Sequence, residues 1–130
     1  MHTAIVSDGV NPTAFIEFNG GYVGVGFLDR NLREYMCYVF DEVLPGKLFL
    51  ARATHREYEG ETDRVKSGTS YYFKQDGSVA VKREDFAWTE GQSSPVGTVS
   101  TKDTQVDVSG HWEPYPKFGE YDALLRVERS

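Results

Sequence analysis

Apolar residues recur at every second position in several short windows of this 130-residue chain. That is the period of half-buried β-strands. Between Thr13 and Leu28 the alternation runs twice, broken only by Asn19-Gly20-Gly21. Asn-Gly tolerates the positive φ of a two-residue type I′ turn, so the segment predicts a hairpin closing at Asn19-Gly20. Such a turn sets Phe18 against Gly21, Ile16 against Val23 and Ala14 against Val25, with Phe27 on the same face. Turn chemistry and hydrophobic pattern then agree. Gly24 and Gly26 fall on the other face, where alternate glycines mark strong coiling or close approach of another backbone.

A second hairpin is predicted from Thr69–Lys74 and Ser78–Glu84, turning at Gln75-Asp76-Gly77. A two-residue Asp76-Gly77 turn would set Phe73 against Ala80 and Tyr71 against Lys82. A three-residue loop with Gly77 left-handed sets Phe73 against Val79 and Tyr71 against Val81, giving one continuous apolar face, and is preferred.

Residues 32–58 admit two elements. Leu32, Tyr35, Met36, Val39, Phe40, Val43 and Leu44 fit a helical stripe, with Asn31 and Glu34 in capping-box positions. Yet Tyr35–Phe40 is made almost wholly of strand formers, and Lys47–Tyr58 alternates like a long strand. A hairpin through Glu42–Gly46 would join the two. Beyond Asp85 the pattern weakens. Thr98–Val108 looks like an exposed edge hairpin, and Pro114 and Pro116 bar their segment from a central strand. Trp112, Tyr115 and Phe118 are expected to cap one end of the core, and Tyr121–Val127 to close the chain as a strand or short helix.

Composition supports this picture. Val, Ile, Thr, Tyr, Phe and Trp number 43, against 16 for Ala, Leu and Met, an excess that fits a pleated surface. The expected fold is mainly β: a single domain over residues 1–130, built from hairpins as an antiparallel sheet, barrel or sandwich, with at most one or two short helices. A compact chain of this mass folds to about 6,900 Å² of surface from about 21,000 Å² unfolded, so about two-thirds is expected to be buried.

Charge and cysteine usage narrow the function. Twenty acids against 14 bases give a net charge of −6, which disfavours binding to nucleic-acid phosphates or anionic membranes and suits a basic protein partner. Cys37 is the only cysteine, so no internal disulfide forms and a reducing, cytoplasmic setting is expected. It lies in the apolar run Tyr35–Phe40 and reads as a buried small hydrophobe. That run is also too short to span a bilayer. The start of the chain, Met-His-Thr-Ala-Ile-Val-Ser-Asp, shows no signal-peptide pattern.

Little points to catalysis. His2, His55 and His111 are scattered without metal-ligand spacing, so no metal or cofactor is expected. His111, beside Trp112, reads as a packed structural residue. A dyad of Cys37 with His55 or His111 has no local support, and there is no Gly-x-Ser-x-Gly elbow. The densest charge cluster is Glu57, Tyr58, Glu59, Glu61 and Asp63, four acids with no base among residues 57–63. Glu57 and Glu59 are expected on one face of a strand end, with Glu61 and Asp63 in the loop. The segment reads as a solvated loop tip or as an acidic patch facing a basic partner, with Tyr58 as an aromatic anchor. A second acidic stretch, residues 103–122, holds five acids and one base.

Several stretches carry a family resemblance: Tyr-Val-Gly-Val-Gly-Phe at 22–27, Leu-Pro-Gly-Lys-Leu-Phe-Leu at 44–50, the segment Tyr71–Asp85, and Pro-x-Pro-x-Phe-Gly-x-Tyr-Asp within 112–125. Together they resemble small cytoplasmic immunity proteins of bacterial polymorphic toxin and contact-dependent inhibition systems. The resemblance implies a non-enzymatic protein, a monomer or weak homodimer, that neutralises a cognate toxin by binding it and brings no catalytic residues. The alternative is a lipocalin-like β-barrel holding a small ligand, for which Tyr22–Phe27 and the aromatic content speak.

Overall fold

A computed structural model of the chain describes residues 2–91, 94–127 and Arg129. Eight strands follow one another as an antiparallel meander: β1 (His2–Ser7), β2 (Pro12–Asn19), β3 (Tyr22–Leu28), β4 (Glu34–Leu44), β5 (Lys47–Tyr58), β6 (Val65–Phe73), β7 (Ser78–Ala87) and β8 (Val96–Gln105). Each pairs only with its sequence neighbours, apart from a short β9 (Trp112–Pro114) that pairs with Lys47–Phe49 of β5. β1 and β8 do not meet. The sheet is open and does not close into a barrel. The only helical turn among the described residues is the 3₁₀ turn Ser109–His111.

The alternating pattern sorts residues onto two faces. The inner face carries Ala14, Ile16 and Phe18 of β2, Val23, Val25 and Phe27 of β3, Tyr38 and Phe40 of β4, and Leu48 and Leu50 of β5. The segment after β9 crosses this face and seats Leu124 in the cluster, with Tyr121 and Leu125 beside it. The core is therefore sheet on one side and irregular chain on the other. Arg129 fastens that cover. Its guanidinium is buried against Glu113 (2.7 Å), donates to the Ala123 carbonyl (2.6 Å) and lies over the Phe40 ring.

Several sequence expectations are corrected here. The first hairpin turns at Gly20-Gly21: Asn19 pairs with Tyr22, Phe18 with Val23, Ile16 with Val25 and Ala14 with Phe27. Only Gly21 has positive φ, whereas the expected type I′ turn needs it at both central positions. The ladder slips by two residues, so every side chain keeps its face. What approaches Gly26 is the ring of Phe15, its cross-strand partner, and not a backbone. Residues 34–44 are strand, closed onto β5 by a two-residue turn at Pro45-Gly46 with Gly46 at φ 77°. The hairpin β6–β7 has the expected register, Phe73 against Val79 and Tyr71 against Val81, with Gly77 at φ 90°.

At the far end, Thr98–Val108 is no hairpin; it contributes one strand, β8. Trp112 packs on Phe49 and Tyr115 approaches Phe18, but Phe118 is 92% exposed and caps nothing. Residues 121–127 form turns rather than a strand or helix, with Leu124 held by its burial. The chain exposes 8242 Å², more than the about 6,900 Å² of a compact chain of this mass. The covering segment reaches as far as Phe73 of β6, through His111, and beyond that contact most of β6–β8 is exposed or half-buried.

Candidate binding surface

In a meander, alternate connections gather at the same end of the sheet. At one end lie the tight turns 20–21, 45–46 and 74–77; at the other lie the longer connections 8–11, 29–33 and 59–64 and the described residues 88–91 and 94–95 between β7 and β8. Longer loops on a rigid sheet are where binding residues concentrate, and the acidic segment falls at this end.

The loop after β5 is built around a turn in which the Thr62 backbone N–H and its hydroxyl both donate to the Glu59 carbonyl (3.1 and 2.6 Å), with Gly60 at φ 55°. The decisive partner comes from the neighbouring connection. Arg33 reaches across, its Nη1 donating to the carbonyls of Gly60 (2.8 Å) and Thr62 (2.7 Å). Its Nε is tied to Asp29 at 2.9 Å. Partial desolvation pushes the Asp29 carboxyl up, but hydrogen bonds from Arg33 and Asn31 outweigh it and hold it below its ordinary value. Tyr58 stands under the same guanidinium, 4.7 Å from its ring centroid, and donates its hydroxyl to the Glu34 carbonyl at 2.7 Å. Burial raises the pKa of this phenol, and the loss of water around it is the leading cause. A second fastening joins the next loop: Trp88 donates to the Val65 carbonyl (2.9 Å), and Arg64 covers its ring.

The acidic residues are placed unequally. Glu57, Glu59, Glu61 and Asp63 are all exposed, and among the described residues none is ion-paired. Glu57 and Glu59 do not share a strand face, because β5 ends at Tyr58 and Glu59 opens the loop. Glu57 lies opposite Ser67, which lies opposite Asp85, so Glu57 belongs to the inner face. Tyr58 follows a register shift and is spent on the clamp. Sequence reasoning missed Arg33 and Trp88, which organise the loops from 27 and 23 residues away; no local spacing could signal them. The other acidic stretch does not form a patch: its Glu113 is buried between Arg129 and Arg126.

The remaining candidates separate. Cys37 lies opposite Thr54 on the outer face, while His55 follows Thr54 and faces inward, so the two cannot form a dyad. Cys37 is half-buried on that face rather than in the core, and burial, then the nearby charge of Glu34, raises its thiol pKa. His111 is a structural residue: its Nδ1 lies 3.2 Å from the Leu50 carbonyl, and its ring meets the Phe73 ring edge-on at 4.4 Å. Among the described residues no group of three His, Cys, Asp or Glu is placed to hold a metal ion, and no helix is long and apolar enough to cross a membrane. Comparison with protein-family models, with curated proteins and with solved structures found no match.

Proposed function

We propose that this chain is a non-enzymatic immunity protein that binds and neutralises a cognate bacterial toxin domain, presenting the 57–63 loop to a basic cleft of that toxin. One observation carries the proposal: three carboxylates outside any ion pair, Glu59, Glu61 and Asp63, sit on a loop whose backbone is fixed by Arg33 through two carbonyls, with Glu57 beside it near the end of β5. A solvated loop tip has no need of such a clamp. A binding loop gains from it, because less ordering entropy is lost on association. Like charges held together also accelerate encounter with an oppositely charged partner. The family resemblance of the sequence supports the same function and a cytoplasmic site of action. The lipocalin-like alternative lacks the closed barrel it would need to enclose a ligand.

The test is co-expression with the toxin domain encoded by the adjoining reading frame. Co-purification of a stoichiometric complex and protection of the host from that toxin are expected. Absence of a complex at micromolar concentrations contradicts the proposal.

A further inference from the structure

The inner face is covered over β1–β5 and at the Phe73–Val79 end of β6 and β7, and open along the rest of β6–β8. There it forms an open groove of about 500 Å³ whose floor is Tyr71, Val79 and Val81. β8 walls the groove on its outer side and is itself unusual. All ten of its residues are exposed, and its ladder with β7 runs ten pairs without a register shift. β1, the opposite edge, has six residues and an irregularity at Val6/Ser7. A long regular edge leaves a row of backbone N–H and C=O groups open to another strand.

The residues that β8 turns toward the groove are Thr98, Ser100, Lys102 and Thr104, in line with Asp85, Arg83, Val81 and Val79 of β7. Three of the four are short hydroxyl side chains, so the wall is low. Side chains arriving from outside β8 can lean over it onto Val81 and Tyr71, with the buried Val79 closing the end of the groove. The fourth, Lys102, has no ion-pair partner among the described residues, whereas Arg83 is already held by Asp85 at 3.0 Å.

We infer that β8 is a docking edge for an extended segment of a partner protein, which adds as a further antiparallel strand. Large apolar side chains at alternate positions of that segment fill the groove, and one carboxylate in the same row meets Lys102. Backbone hydrogen bonds would supply affinity and the groove specificity. A second copy of this chain fits less well. Two β8 edges joined side by side would set hydroxyls against hydroxyls and leave both grooves unfilled. The protein already uses strand addition once, where β9 joins the free edge of β5 and seats Trp112 on Phe49.

The experiment is an amide-resolved NMR titration of the full chain with a ten-residue peptide alternating Leu and Thr, with one Glu in the Leu row. Saturable shifts confined to 96–105 and the groove floor are expected. A scrambled peptide and one N-methylated at alternate residues should bind at least about tenfold more weakly, the equivalent of 1.4 kcal/mol. Lys102→Glu should weaken binding of the Glu peptide and restore binding to the same peptide carrying Lys instead. Shifts elsewhere, indifference to N-methylation or failure of the charge swap would overturn the inference. So would concentration-dependent shifts in 96–105 without peptide, which would make the occupant a second copy. The 57–63 loop takes no part in this titration, so either proposal can fail alone.

Discussion

Gly110 illustrates how closely single residues hold the covering segment. A Cβ built there would stand 1.8 Å from the Arg129 carbonyl oxygen, a backbone atom that cannot swing aside. Gly110→Ala is expected to destabilise the fold by about 2–3 kcal/mol. Gly26→Ala meets only the ring of Phe15, which can turn, and should cost about 1 kcal/mol; urea denaturation of the two variants checks the order. The pair that fastens the segment makes a second comparison. Glu113 and Arg129 are 9% and 4% exposed at their side chains, while Arg126 is 53% exposed. Removing one partner of a buried pair strands the other charge, so Glu113→Gln should lose about 3 kcal/mol. Arg126→Gln should lose about 0.5 kcal/mol or less. Equal losses would show that burial does not set the strength of these pairs. None of this was legible in the sequence, because Gly110, Glu113 and Arg129 are unremarkable until the chain end folds back onto them.

Among the elements, what local pattern could specify was legible. The β6–β7 hairpin was readable in its register because one of two turns made a continuous apolar face and Gly77 supplied the positive φ it needed. At β2–β3 the faces were readable and the turn was not, since a two-residue slip leaves the hydrophobic pattern unchanged. Residues 121–127 failed for another reason: Leu124 is placed by the core it covers, not by any period of its own. The acidic loop was visible as a charge cluster, but its clamp was not. Freeing it is the test at this scale. Arg33→Ala removes both carbonyl contacts and the cation over Tyr58. Amide exchange of residues 59–64 should then accelerate by about tenfold or more while the core strands keep their protection. Unchanged exchange in the loop would mean that the turn at Glu59–Thr62 holds itself.

For the whole molecule, the central relation is between an open sheet, a cover that reaches only as far as Phe73 of β6 and an acidic loop at the long-loop end. Acid should loosen the cover first. His111 sits between Leu50, Phe49 and Phe73, and desolvation lowers its pKa from the ordinary 6.5. A histidine kept neutral in the folded state contributes stability above its unfolded pKa and loses it as pH falls toward the folded value. Thermal stability should therefore decline as pH falls below about 6.5, and His111→Gln should flatten that decline. The functional account is tested most directly by the affinity of the cognate toxin domain for the wild-type chain and for a variant carrying Glu57→Gln, Glu59→Gln, Glu61→Gln and Asp63→Asn. None of these exposed residues is in an ion pair of the fold, and the attraction of Glu57 for Arg83 is secondary to that of Asp85, so the variant should remain folded. Binding should weaken by about tenfold to a hundredfold, mainly through slower association at low salt. Undiminished affinity and association rate in the neutralised variant would contradict it.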